Sequence, residues 1–195
     1  MPARIVIREK GRNLTSADRT AINNAFLDAL RMARRVENEI NSVWNQPGRV
    51  RQRRSRRRNA WSAHANFTRW FGTSRRHILL RRVRRRIIKL RKWLDRGRIV
   101  VLAHDGGDRG CSVAGRNAYA VIPRRPLKVH LCPPWFTRGE SRRAAILIHE
   151  LVHELGFAHP EGTTTPGEAL ALARSDSKKA RRSPENYENL YELYF

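Results

Sequence analysis

The stretch His149-Glu150-Leu151-Val152-His153-Glu154-Leu155-Gly156-Phe157-Ala158-His159-Pro160 joins three histidines to an apolar helical pattern. His149 and His153 are four residues apart, about 1.1 helical turns, so both imidazoles project from one face and can share one Zn²⁺. Glu150, beside the first ligand, can reach a water on that metal and take its proton as general base. Gly156 can end the helix in a left-handed cap and turn the chain back. His159 then completes H-E-x-x-H-x-x-G-x-x-H. Three histidines and a water make a tetrahedral catalytic site for one zinc ion per chain. In the competing reading the histidines are core residues, and Glu150 and Glu154 are solvated helix residues.

Working outward, Ala144 to Leu155 forms an apolar run. It is predicted to be a helix starting near Ser141, with Ala144, Ala145, Ile148, Val152 and Leu155 facing in. Near the N-terminus, Thr15-Ser16-Ala17-Asp18 reads as a capping box. Ile22, Phe26, Leu30, Ala33, Val36, Ile40 and Val43 then recur at helical spacing, which predicts a helix over 16–44 that ends before Gln46-Pro47-Gly48. Leu80, Val83, Ile87, Leu90 and Leu94 mark a second inward stripe. Ile99 to Leu102, Asn117 to Ile122 and Leu127 to Cys132 read as short strands, with a turn at Asp105-Gly106-Gly107-Asp108. Two further helices are predicted, over 167–174 and from Ser183 as N-cap with Pro184 after it. The expected class is α+β, mainly helical with a small sheet. The expected organisation is an N-terminal helix with an Arg-rich segment over 1–68 and a domain over 69–195, together one compact unit.

Charge divides the chain unequally. The net charge is +24, and 35 of the 41 basic residues are Arg. Residues 1–98 hold 28 basic and 6 acidic residues, whereas residues 99–195 hold 13 and 11. Arg49 to Arg58 reads as a solvated, mobile run, followed by Trp61, Phe67, Trp70 and Phe71 as anchors returning to the core. Arg81, Arg82, Arg84, Arg85, Arg86 and Arg91 occupy the outer faces of the second helix, where like charges gain from an anionic partner. The region 49–98 is therefore the candidate surface for a polyanion or nucleic acid.

No apolar run approaches the roughly 20 residues of a membrane span. The opening residues lack the apolar stretch of a secretory signal. His64, His77, His104 and His130 have no ligand-like spacing and are expected to be structural or surface residues. Tyr187, Tyr191 and Tyr194 recur at helical spacing and are expected to pack, with a reach of one of them into the site as the alternative.

The extended zinc motif also occurs in metzincins, which require a methionine turn downstream. The two methionines here are Met1 and Met32, so that assignment fails. The second half instead resembles the deuterolysin-like and lysine-specific metallo-endopeptidases, the aspzincins. The resemblance rests on Arg69-Trp70-Phe71-Gly72, Gly110-Cys111-Ser112, Ala118-Tyr119-Ala120-Val121, Val129-His130-Leu131-Cys132-Pro133-Pro134-Trp135-Phe136 and Ile148 to Glu154. Ala171 to Asp176 and Glu185-Asn186-Tyr187-Glu188 match the family's closing segment.

The resemblance implies a zinc endopeptidase of zincin fold. It also implies a Cys111–Cys132 disulfide, His149 and His153 as ligands and Glu150 as base. The chain departs from the family at the third ligand, an Asp in a Gly-Thr-x-x-Asp-x-x-Tyr-Gly element. Here the corresponding residues are Gly162-Thr163-Thr164-Thr165-Pro166-Gly167-Glu168. His159 is assigned the third position, with Glu161 as the alternative and Glu168 after it. The missing Tyr leaves oxyanion stabilisation unassigned, and the family's lysine preference has no identifiable pocket to carry it.

The reading is a zinc-dependent endopeptidase acting on protein or peptide substrates, expected to be a monomer. Its rivals are a nucleic-acid-associated zinc protease and a non-catalytic polyanion-binding protein with a structural zinc. A disulfide without a signal suggests export by a non-classical route or within a larger exported protein, as for a toxin or effector, with the cytoplasm as the alternative.

Overall fold

The Thr15 hydroxyl accepts from the Asp18 amide at 3.0 Å, and the Asp18 carboxylate accepts from the Thr15 amide at 3.2 Å. This closes the predicted capping box and starts the long helix α1 (Ser16–Trp44). The computed structural model describes residues 2–73, 77–113, 115–121, 126–160 and 163–195. Ahead of α1 lies β1 (Arg4–Lys10); after it come α2 (Val50–Ala63), α3 (Ala65–Phe71) and α4 (His77–Arg96). The sheet continues with β2 (Arg98–His104), β3 (Ala118–Tyr119) and β4 (Leu127–Leu131). The chain then runs through α5 (Pro133–Phe136), α6 (Glu140–His153), α7 (Pro166–Ser175), α8 (Ser177–Ala180) and α9 (Pro184–Glu192). The fold is α+β, mainly helical with a four-stranded sheet.

The sheet order is β1-β2-β4-β3. β2 pairs in parallel with β1 and β4, and β3 runs antiparallel to β4. Two differences from the sequence reading are found here. Arg4–Lys10, read only for its lack of a leader, is an edge strand in register with β2, Ile5 beside Ile99 and Ile7 beside Val101. The expected strand over 117–122 pairs only at Ala118 and Tyr119; Ile122, like Pro123, Arg124 and Arg125, lies outside the described residues.

The Arg-rich run is also corrected: residues 50–63 form a helix rather than a mobile segment. Arg is a good helix former, and the helix is tied down at both ends. At its start, Arg56 donates to the Pro47 carbonyl at 3.0 Å, and the Arg57 guanidinium lies 3.9 Å from the Trp44 ring centroid. At its end, the fully buried Trp61 stacks on Phe67 with ring centroids 5.2 Å apart. Its indole N–H donates to the Gly72 carbonyl at 2.9 Å. Gly72 has φ +65°, and a Cβ there would lie 2.3 Å from the Ala173 carbonyl, so only glycine fits. Phe67, Trp70 and Phe71 are buried as expected.

α1 packs on α4 and α6, and α6 packs on α9. The inward stripes are buried as read: Ile22, Phe26 and Val36 on α1, Leu80, Val83, Ile87 and Leu90 on α4. Cys111 and Cys132 form a disulfide that ties the 105–117 loop to the end of β4. No described helix is long and apolar enough to cross a membrane.

Candidate metal centre

α6 is apolar on nearly every side, with Ala144 to Ile148, Leu151 and Val152 all buried, so its histidines enter the interior with it. The helix ends where the sequence reading put it. Gly156 adopts φ +84° and its amide donates to the His153 carbonyl at 2.8 Å. The reversal brings His159 back over the two helical histidines. The Nε2 atom of His153 lies 3.2 Å from that of His149 and 3.1 Å from that of His159.

Each outer ring nitrogen is held by an oxygen. His149 Nδ1 is 2.7 Å from Glu188 Oε2, His153 Nδ1 is 2.6 Å from the Phe157 carbonyl, and His159 Nδ1 meets Glu185 Oε1. A ring that donates from Nδ1 presents a lone pair at Nε2. Three such lone pairs facing one another repel unless a cation lies between them. A tetrahedral zinc with Zn–N of about 2.0–2.1 Å needs nitrogens ~3.3 Å apart, close to the observed spacing. These histidines form the His/Cys/Asp/Glu group, among the described residues, whose ligand atoms could hold a metal. The donor set therefore fits zinc.

Glu150 is buried at 4% exposure, and its Oε2 has no hydrogen-bond partner among the described residues. Burial pushes its pKa up to about 7, against the opposing pull of His149. Glu154 is buried as well, which overturns the competing picture of two solvated glutamates. Burial disfavours charge on His149, but the Glu188 carboxylate outweighs it and lifts the imidazole to about 9. Burial and the neighbouring His149 lower His153 to about 4.

A cleft of about 580 Å³ lies over this group. Arg116, Arg142 and Tyr119 line it beside the histidines. Arg116 donates to the Gly110 carbonyl at 2.9 Å, and Arg142 is 2.7 Å from Glu188 and 3.3 Å from Glu192. The Tyr119 hydroxyl donates to Asp108 at 2.5 Å.

The other candidates lie elsewhere. The Glu168 carboxylate accepts from the Thr164 and Thr165 amides at 2.9 and 2.8 Å, capping α7. Glu161 is outside the described residues. His64 faces Glu39 at 2.9 Å, His77 packs on Trp44, and His104 contacts His130 at 2.9 Å. Tyr187 and Tyr191 are fully buried, and Tyr194 accepts from Asn66.

Sequence reasoning missed the roles of Glu185 and Glu188. Their signal was a pair of carboxylates three residues apart on one helix, but their partners are 26 and 39 residues away.

The family profile described as lysine-specific metallo-endopeptidase matches residues 56–192. Among solved structures, a zinc peptidase from Grifola frondosa superposes with a TM-score of 0.69 at 19% identity, covering 92% of this chain and 96% of that one. A search of curated proteins finds no match. With most of its length matched by the profile and a peptidase fold around an H-E-x-x-H helix, the chain belongs to the aspzincin family of lysine-specific metallo-endopeptidases and is a zinc metallopeptidase.

Proposed function

We propose that the chain is an endopeptidase with one zinc ion held by His149, His153 and His159, and with Glu150 as general base. The observation that carries this reading is the convergence of three Nε2 atoms beside a buried carboxylate oxygen that has no partner among the described residues. Zinc, when bound there, supplies Lewis-acid polarisation of a scissile carbonyl and eases ionisation of the attacking water.

Glu150 takes the proton of that water at its free carboxylate oxygen and delivers it to the departing amine nitrogen. Burial raises the carboxylate's proton affinity, which suits a group that must accept a proton before releasing it. Glu188, Glu185 and the Phe157 carbonyl fix the tautomer of each histidine, so that Nε2 faces inward. Arg142 is paired with Glu188 and Glu192, which leaves Arg116 as the cleft cation that favours peptides with acidic side chains. The Cys111–Cys132 bridge supports an oxidising destination, reached by a non-classical route or within a larger exported protein. Residues 1–68 and 69–195 act as one compact domain, supported by the packing of α1 on α6.

Glu150→Gln tests the mechanism. The variant is expected to keep zinc and its melting temperature while losing peptide hydrolysis by at least about a hundredfold, the scale of a lost general base. Wild-type turnover in this variant would overturn it.

A further inference from the structure

A second cavity, of about 210 Å³, is lined by Arg82 and Arg86 of α4, Lys178 of α8, Arg181 and Arg182 just beyond it, and Phe157. Among the described residues it shares no lining residue with the cleft over the three histidines. Among the described residues its charged lining is entirely cationic.

The cations are held in place. The Arg86 guanidinium stacks 4.3 Å from the Phe157 ring centroid and donates to the Arg181 carbonyl at 2.6 Å. Arg182 approaches the same ring at 5.5 Å. Arg181 is 2% exposed; its Nη2 donates to the Thr73 carbonyl at 2.7 Å, but Nε and Nη1 have no hydrogen-bond partner among the described residues. Burial pulls its pKa down to about 10, so it remains a cation at neutral pH. Asp176, the carboxylate that acts on it, is occupied with the Lys178 and Lys179 amides at 3.0 Å.

Five cations around one cavity repel one another. A multivalent oxyanion relieves that repulsion. Phosphate fits better than carboxylate, because its charge approaches −2 and its several oxygens can engage more than one Arg fork.

We propose that the cavity bounded by Arg82, Arg86, Lys178, Arg181 and Arg182 is a binding site for a phosphate group. The group can come from a small polyphosphate or from a nucleic-acid backbone, and the two sources are separable. The site also adjoins the metal centre through one residue: the Phe157 ring lines the cavity, while its carbonyl holds His153.

The test uses the zinc-loaded full chain at about 0.15 M ionic strength, where long-range attraction is largely screened. Pyrophosphate is titrated by calorimetry, and a short single-stranded DNA by fluorescence anisotropy. The exposed pair Arg82→Glu and Arg182→Glu is compared with the equally charged pair Arg51→Glu and Arg54→Glu on α2.

The cavity pair is expected to weaken binding by at least about tenfold, the loss of charge-assisted hydrogen bonds, and the α2 pair by less than about threefold. Cavity dependence in both arms assigns the site to phosphate groups in general, and dependence in the DNA arm alone assigns it to a polymer backbone. Equal losses in both pairs, unchanged binding in the cavity pair, or no binding in either arm would overturn the proposal.

Discussion

Glu188 Oε2 lies 2.7 Å from His149 Nδ1, joining the last helix of the chain to the first histidine of the zinc motif. The same carboxylate pairs with Arg142 at 2.7 Å. It therefore both orients the imidazole and anchors one wall of the cleft.

Glu188→Gln leaves a side chain of the same shape without the charge. Its expected effect is a ~10–100-fold loss of zinc affinity with the fold retained, as for other residues that orient a ligand histidine. Competition against a chelator measures this. An affinity equal to that of the parent chain would show that Glu188 does not orient His149.

Of the two arginines lining the cleft, Arg142 is paired with Glu188 and Glu192, so Arg116 is the one left to meet a substrate, while Glu185 and Glu188 are engaged with histidines. Peptides with Asp or Glu near the cleaved bond are expected to outrun Lys-containing counterparts by about three- to tenfold at low salt, the worth of one modest ion pair. Arg116→Ala should narrow that gap. A peptide-library digest decides it, and a preference for Lys like that in the family description would contradict the electrostatic account of the cleft.

His130 gives a pH signature remote from the metal. Burial, then the neighbouring His104, lowers its pKa from 6.5 to about 4, and it stacks on Tyr119 with centroids 4.2 Å apart. Because the folded pKa is the lower one, the unfolded chain binds more protons between these values. The contribution is intact above about pH 6.5 and is lost as pH falls towards 4. Between pH 7 and pH 5, His130→Gln should therefore lose less of its own stability than the parent chain does. Urea denaturation of both at the two pH values measures the difference, and parallel losses would contradict the assignment.

Elements fixed by local chemistry were legible in the sequence. Thr15 and Asp18 cap α1 through contacts three residues apart, and the stripe from Leu80 to Leu94 repeats at helical spacing. The motif from His149 to His159 is equally local, because one helix and one glycine turn bring its nitrogens together. Features set by distant partners were not legible. β1 has three apolar residues among charged ones, and its strand character comes from pairing with β2 more than 90 residues away. α2 reads as a charge run because its supports, Trp44 and Phe67, lie outside it. Glu185 and Glu188 gain their roles only when α9 docks on α6.

The most direct test of the central claim is the metal content of the purified chain and of His159→Ala, by mass spectrometry after dialysis without chelator. The account predicts about one zinc per parent chain, with metal and peptide hydrolysis both lost in His159→Ala and retained in Glu161→Ala. A His159→Ala chain that keeps its zinc and its activity would contradict the three-histidine centre.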